Sequence, residues 1–144
     1  MKKFIISIDA GTTSNRSILF DLRGKPVYSS QKEFTQYFPK SGWVEHDPDE
    51  IWKTTIKTLK DVINKSKKLK GKVLTIGITN QRETTILWHK KTGKVVYKAI
   101  VWQDRRTEDY CKKLRKQNKD TTIFNKTGLL IDPYFSGTKI KWIL

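Results

Sequence analysis

The stretch FIISIDAGTTSNRSILFD, residues 4–21, decides the fold. Phe4 to Ile8 is a short apolar run of the kind that forms β-strands, and it is closed by Asp9, an alanine and a glycine. Asn15 to Asp21 has strand character as well, with consecutive apolar residues at its centre. Because only a short polar segment separates these two runs, the chain is predicted to open as a β-meander.

A third strand is predicted directly after this pair. Leu22 to Lys25 is typical of a turn, because its glycine supplies permissive backbone geometry. Val27 to Phe34 follows as a more polar strand, which we expect to lie near the edge of the sheet.

A helix is predicted to begin after Asp47. Asp47 is a candidate N-cap, Pro48 suits the first helical position, and Glu50 has the spacing of a capping box. We expect this helix to end near Lys67. Its buried stripe is predicted from apolar residues at helical spacing: Trp52, Ile56, Leu59 and Ile63, widened by Ile51, Thr55 and Val62.

The second half of the chain alternates strand and helix patterns. Val73 to Ile78 resembles a buried parallel strand, and the residues on either side of Lys90–Gly93 predict a hairpin. Ala99 to Trp102 predicts another short strand, and Arg105 to Asn118 has a helical pattern. This order of elements predicts an α/β domain built in layers.

Length and composition predict one folded domain in a reducing compartment. A chain of 144 residues can form one real core but not two. No apolar stretch approaches the ~18 residues that cross a bilayer, and the apolar run after Met1 is too short for a signal peptide. Cys111 is the one cysteine, so it forms no internal disulfide. We therefore predict a cytoplasmic protein.

The formal charge of +16 raises the alternative of a basic module that binds nucleic acid. Of the 30 basic residues, 24 are lysines, and they are scattered except for a dense stretch from Lys57 to Lys72. No aromatic residues are interleaved with that stretch, and arginine, the better reader of base edges, is scarce. These features favour a solvated lysine-rich surface with no specific nucleic-acid partner.

The first candidate site is the polar segment between the first two strands. Asp9 ends a strand, Gly11 allows a sharp turn, and hydroxyl side chains and Arg16 follow. Turn amides and hydroxyls can bind phosphate oxygens, Arg16 can pair with phosphate, and Asp9 can hold Mg²⁺. The alternative is a plain hairpin turn. The spacing excludes the phosphate loop that has the pattern G-x-x-x-x-G-K-[ST].

Two further candidate sites follow later strands. Arg82 and Glu83 come directly after the predicted parallel strand, where ligands bind in open α/β sheets, and their donor and acceptor groups can grip polyol hydroxyls. The alternative is a surface ion pair. Trp102 stands beside polar side chains and suits a small polar ligand with an apolar edge, whereas Tyr134 offers a hydroxyl on a rigid ring. For both aromatic residues the alternative is ordinary packing.

Taken in order, the motifs resemble the successive signatures of glycerol kinases over nearly the whole chain. The block around Arg82 and Glu83 is specific to glycerol kinases within the wider sugar- and polyol-kinase family, whereas the hydroxyl turn at Thr12 is shared by that family. The matching segments are Ile8–Ser14, Gly42–Pro48, Gly77–Thr85, Ala99–Thr107 and Gly128–Lys141.

This resemblance implies a ribonuclease-H-like, actin-like ATPase fold with a mixed sheet and flanking helices. The family has two such lobes, with the active site in the cleft. Residues 1–144 would supply part of the amino-terminal lobe, with the second lobe absent. The apolar ending at Lys141–Leu144 carries no cap, so we expect the chain to be truncated in mid-element.

The same resemblance implies roles for individual residues. Contacts with the nucleotide phosphates are implied for Thr12, Thr13, Ser14 and Arg16, and a Mg²⁺ role for Asp9. Contacts with glycerol are implied for Arg82, Glu83, Tyr134, Trp102 and Thr12. The catalytic base of the family lies on a later part of the chain, so we expect no catalytic residue within these 144 residues.

The implied reaction is ATP- and Mg²⁺-dependent phosphorylation of glycerol to sn-glycerol 3-phosphate, a step of glycerol catabolism. We expect the chain alone to be inactive, and a homo-oligomer is compatible with the full-length enzyme. Two residues depart from the family pattern, since Ala10 replaces a more usual Gln and Asn15 a usual Ser. Neither change removes a required group.

Overall fold

The computed structural model describes residues 1–144, which divide into two compact units. The first unit contains residues 1–35 and 47–81, and the second contains residues 36–46 and 82–144. In chain order the elements are β1 Lys2–Ala10, β2 Ser14–Asp21, β3 Pro26–Glu33, β4 Glu45–His46, α1 Pro48–Lys68, β5 Gly71–Thr79, β6 Ala99–Ile100, α2 Glu108–Lys116, α3 Asp120–Thr127 and α4 Ser136–Ile143.

The first unit is built on a four-stranded mixed sheet in the order β3-β2-β1-β5. β1 pairs with β2, and β2 with β3, in antiparallel register, whereas β5 pairs with β1 in parallel register. The predicted meander is therefore confirmed, and so is the edge position of the polar third strand. Gly24 has a positive φ of 78°, as the predicted turn between β2 and β3 requires.

The core of this unit lies between the sheet and α1. Alternate residues of β1, Phe4, Ile6 and Ile8, point to this side and pack with Leu19 of β2 and Val62 of α1. This alternation is the strand period of two, and Asp9 is the penultimate residue of β1, next to the turn.

α1 begins as predicted, and part of its predicted buried stripe is confirmed, because Val62 is fully buried and Leu59 and Ile63 pack against the core. The Asp47 side chain accepts hydrogen bonds from the amides of the first turn and thereby caps the helix. Trp52 is 64% exposed, so its assignment to the buried stripe is wrong. The fully buried residues are Thr58, Val62 and Ser66. Thr58 lies outside the predicted stripe, and its hydroxyl bonds the Ser17 hydroxyl of β2 at 2.9 Å.

The parallel pairing of β5 is confirmed, but its predicted burial is wrong. Leu74, Ile76 and Ile78 are 42% to 74% exposed. β5 is the outer strand of the sheet, and its residue Val73 is the one that packs against the core beneath α1. The strand is therefore apolar in composition, but other elements do not cover both of its faces.

The second unit contains a two-stranded antiparallel sheet and three short helices. β4 and β6 pair Glu45 with Ile100, which confirms the short strand predicted near residue 99. The predicted hairpin is confirmed by a bridge between Trp88 and Val95 and by Gly93, whose φ is 69°. α2 lies within the predicted helical segment, whereas α3 has no counterpart in the sequence prediction. No helix in the chain combines the length and the apolar character that crossing a bilayer requires.

Candidate active site

The turn between β1 and β2 closes on itself through its backbone. The Gly11 amide donates a hydrogen bond to the Ser14 carbonyl oxygen at 3.0 Å. A Cβ atom at position 11 would lie 3.0 Å from that same oxygen, so glycine permits this close approach. Thr13 is exposed at the tip, and its carbonyl accepts from the Phe34 amide. The turn therefore presents a threonine to solvent on a fixed backbone.

Asp9 and Arg16 lie opposite each other at the base of this turn. They are paired in the register of β1 and β2, and the guanidinium nitrogen lies 3.2 Å from the carboxylate oxygen. Both side chains are nearly half exposed, so the pair keeps its access to ligands. The two strands that flank the turn therefore carry an accessible cation and an accessible carboxylate.

Side-chain hydrogen bonds connect the turn to its surroundings. The Ser14 hydroxyl accepts from Gln31 of β3 at 2.8 Å. Asn15 is fully buried and donates to the Ile51 carbonyl at 2.9 Å and to the Thr54 hydroxyl at 2.6 Å, both on α1. Asn15 therefore joins the turn to the helix, a role that the sequence pattern did not reveal.

In the second unit, the Glu83 carboxylate is bound at the start of α4. One of its oxygens accepts from the Ser136 amide at 3.2 Å and from the Ser136 hydroxyl at 3.1 Å. Glu83 also has a positive φ of 63°, which is uncommon for a residue with a side chain. Arg82 is exposed, and no ion pair joins it to Glu83. The alternative of a surface Arg–Glu pair is therefore wrong.

Trp102 and Tyr134 lie together in the same unit. Their rings meet edge to face with centroids 6.1 Å apart, and Phe135 extends the contact from Tyr134 at 5.1 Å. Trp102 and Tyr134 are each partly exposed, so neither ring is fully occupied by core packing. The Tyr134 amide donates to the Asp132 carboxylate at 2.8 Å, which fixes the backbone that carries the ring.

Lys139 of α4 connects Glu83 and Tyr134. Its ammonium nitrogen donates to the backbone carbonyl of each residue at 2.7 Å, and the side chain is fully buried. Sequence reasoning missed this lysine. In the sequence, Lys139 is marked only by its place before the apolar end of the chain, and such a position does not predict that a lysine is buried.

The segment around Trp102 also contains a structural cluster. The Arg106 side chain is fully buried and bonds both Asp104, at 2.8 Å, and Glu45, at 2.8 Å. Its guanidinium stacks over the Trp43 ring at 3.8 Å and lies 4.7 Å from the Trp142 ring. Arg106 therefore holds these segments together.

The sequence of the chain matches a family of known proteins. Residues 4–144 match the sequence model of the N-terminal domain of FGGY carbohydrate kinases. The chain belongs to the FGGY family of carbohydrate kinases. Its turn at Gly11 and its group around Glu83 therefore lie in the amino-terminal domain of an FGGY kinase.

Individual FGGY proteins resemble the chain closely. The glycerol kinase of Oceanobacillus iheyensis is 59% identical over 143 residues, which are 99% of this chain and 29% of that protein. A crystal structure of Plasmodium falciparum glycerol kinase with ADP matches with a TM-score of 0.91 and 39% identity, over 99% of this chain and 28% of that one. Gluconate kinase from Lactobacillus acidophilus matches with a TM-score of 0.90 and 26% identity, over 99% and 28%.

These likenesses confirm the predicted fold and the predicted resemblance to glycerol kinases. The fold is shared with a gluconate kinase, so it does not by itself determine the substrate. The chain spans about 29% of the length of the curated relative it matches.

Proposed function

We propose that these residues form part of the amino-terminal lobe of a kinase that transfers the γ-phosphoryl group of ATP to a terminal hydroxyl of glycerol. The product is sn-glycerol 3-phosphate. The observation that carries this proposal is the grouping of Glu83, Trp102 and Tyr134 in one unit, around α4. The chain is 59% identical to a glycerol kinase and 26% identical to a gluconate kinase. The higher identity supports glycerol over gluconate as the substrate.

The proposed glycerol site, in the second unit, combines polar and aromatic groups. Glu83 supplies a carboxylate that can accept from substrate hydroxyls, and Arg82 supplies an exposed donor fork. The partly exposed rings of Trp102 and Tyr134 can pack against the carbon chain of a polyol, and the Tyr134 hydroxyl can bond to it. Glycerol has three hydroxyls on a short apolar chain, so it suits such a mixture.

The proposed phosphate site is the turn at Gly11, in the first unit. Arg16 is the cation that would pair with phosphate oxygens, aided by the hydroxyls of Thr12, Thr13 and Ser14. Asp9 would hold Mg²⁺, because Mg²⁺ is commonly bound by one or two carboxylates together with substrate phosphates, and the Asp9 carboxylate is accessible. When bound there, Mg²⁺ would neutralise charge on the phosphate oxygens.

The roles of these residues are binding and orientation. Phosphoryl transfer depends mainly on positioning and charge stabilisation, and the groups named above supply both. A base for the glycerol hydroxyl proton is expected from the part of the family's length that this chain does not span. We place the enzyme in the cytoplasm, where reduced thiols such as Cys111 persist.

A hybrid kinase tests this proposal. Residues 1–144 would replace the matched segment of the Oceanobacillus iheyensis glycerol kinase, so that every proposed glycerol contact named above comes from this chain. ATP consumption would be measured with glycerol, gluconate and xylulose. We expect turnover with glycerol and little turnover with gluconate or xylulose. A hybrid that folds and binds ATP but prefers gluconate or xylulose would contradict the assignment.

A further inference from the structure

Lys139 is an unusual residue for its surroundings. It lies on α4, its side chain is fully buried, and its nitrogen contacts carbonyl oxygens from two separate segments at 2.7 Å each. Glu83 is 56 residues away in the sequence, whereas Tyr134 is five residues away. Burial of an ammonium group is unfavourable unless it is well bonded, and these two hydrogen bonds compensate part of that cost.

The two bonds fix the relative position of two backbone segments. Because one nitrogen contacts both oxygens at 2.7 Å, the carbonyls of Glu83 and Tyr134 lie no further apart than twice that distance. Each carbonyl belongs to a residue whose side chain is assigned to the glycerol site. A short separation between the carbonyls therefore also restricts the separation of the two side chains.

Glu83 needs such support more than most residues. Its φ of 63° lies in the left-handed region, where a residue with a Cβ atom is strained. Residues in this conformation persist when their surroundings impose it. α4 imposes it at two points, through Ser136 on the carboxylate and through Lys139 on the carbonyl.

We propose that Lys139 is a positioning residue of the glycerol site, which holds Glu83 and Tyr134 at the separation that the substrate requires. This inference rests on the proposed function for the identity of the ligand. Lys139 does not contact glycerol in this scheme. It acts through the two backbone carbonyls. Its loss should therefore change the KM for glycerol more than the KM for ATP.

The charge of Lys139 is part of this role. Burial lowers its pKa to about 8, although the carboxylates of Asp104, Glu83 and Asp132 act to raise it. Hydrogen bonds from a charged donor are about twice as strong as those from a neutral one. The grip on the two carbonyls therefore weakens as pH rises above 8, and the KM for glycerol should rise with it.

The first experiment compares two lysines of α4 in the hybrid kinase. Lys139→Met keeps the aliphatic stem and removes the donors, whereas Lys141→Met removes an exposed lysine of the same helix. We expect Lys139→Met to raise the KM for glycerol by roughly 10- to 100-fold, with a smaller change in kcat and in the KM for ATP. It should also abolish the rise in KM above pH 8. A KM for glycerol within about twofold of the Lys141→Met value would overturn the proposal.

The second experiment uses the 144-residue chain itself and does not depend on the substrate. The ¹³C shifts of the Glu83 and Tyr134 carbonyls would be followed by NMR as pH is raised. We expect both signals to move together with a midpoint near pH 8, and Lys139→Met to remove the transition. If the two carbonyl signals do not shift together, Lys139 does not hold the two segments and the proposal is wrong. A folded hybrid kinase that ignores glycerol would refute the proposed function, and this titration would still decide whether Lys139 holds the two segments.

Discussion

The carboxylate of Glu83 accepts hydrogen bonds from both the amide and the hydroxyl of Ser136, 53 residues later in the chain. This relationship joins a loop after β5 to the first residue of α4. Helix amino-termini carry partial positive charge, so the carboxylate is stabilised there as an anion. Glu83 is consequently held in place before any substrate arrives, and Arg82 remains exposed beside it.

Removal of the Glu83 carboxylate should impair the use of glycerol selectively. Glu83→Ala leaves the two Ser136 donors without this partner, a loss that typically amounts to about 1–3 kcal/mol, and it deletes the proposed acceptor. We expect the kcat/KM for glycerol in the hybrid kinase to fall by roughly 10- to 100-fold, with little change in the KM for ATP. Asp109→Ala is the control, because Asp109 is 96% exposed. Equal kcat/KM in the two variants would argue against the assignment.

Substitution of Gly11 should affect the nucleotide rather than glycerol. In Gly11→Ala the new Cβ would lie 3.0 Å from the Ser14 carbonyl oxygen, so the turn has to shift. We expect the KM for ATP to rise roughly tenfold, since small displacements of positioning groups have large effects. Gly77→Ala is the matched control, because a Cβ atom there meets nothing within 4 Å. An unchanged KM for ATP in Gly11→Ala would count against a phosphate site at this turn.

Arg106 should prove essential to stability. Arg106→Met leaves the carboxylates of Asp104 and Glu45, which are 1% and 6% exposed, without their cation. Loss of one partner of a buried pair costs about 3–5 kcal/mol. Urea unfolding of the 144-residue chain measures this. Arg105→Met serves for comparison. The Arg105 side chain is 51% exposed, so removal of its ion pairs should lower the free energy of unfolding by about 1 kcal/mol or less. Similar losses in the two variants would disprove the special role of Arg106.

The stability contributed by Lys139 should depend on pH with a defined sign. Its pKa in the folded chain is about 8 and its usual value is 10.5, so the unfolded chain binds more protons between these two values. The free energy of unfolding must therefore rise with pH in that window. The difference between wild type and Lys139→Met should increase by roughly 1–3 kcal/mol from pH 7.5 to pH 10, measured by urea unfolding. A difference that is flat or falls with pH would mean that the pKa of Lys139 is not lowered.

The basic surface should not be a specific nucleic-acid site. Lysines between Lys57 and Lys72 should retain duplex DNA or RNA weakly at about 50 mM salt and lose it by about 200 mM, since such binding depends on phosphate contacts. Fluorescence anisotropy with several duplexes measures this. Sub-micromolar, sequence-selective binding at physiological salt would favour the alternative of a nucleic-acid-binding module.

Elements with strong local signals were predictable from the sequence. The alternating apolar residues of β1, the Asp47 cap and the glycine of the hairpin at Gly93 each act within a few residues. The burial of Thr58 on α1 was not predictable, because its hydrogen-bond partner Ser17 lies 41 residues away in the sequence. The exposure of β5 depends on which elements cover the sheet, which its own composition cannot reveal.

Motifs singled out the candidate site residues but did not predict the hydrogen bonds that they make. Motifs identified Glu83, Trp102 and Tyr134, and the structure groups these three residues in one unit. The partner of Glu83 proved to be Ser136 and not Arg82. Lys139 escaped notice because its acceptors are backbone carbonyls, which every residue carries and no motif marks.

The central claim, that this chain carries the glycerol site, is tested most directly by amide hydrogen exchange of the hybrid kinase with and without glycerol. We predict that glycerol slows exchange at residues 82–85, at Trp102 and at residues 134–139, and leaves residues 109–118 unchanged. Propan-1-ol, which has the same carbon chain and one hydroxyl, should have no such effect. Unchanged exchange in all three segments at a glycerol concentration that saturates turnover would contradict the claim.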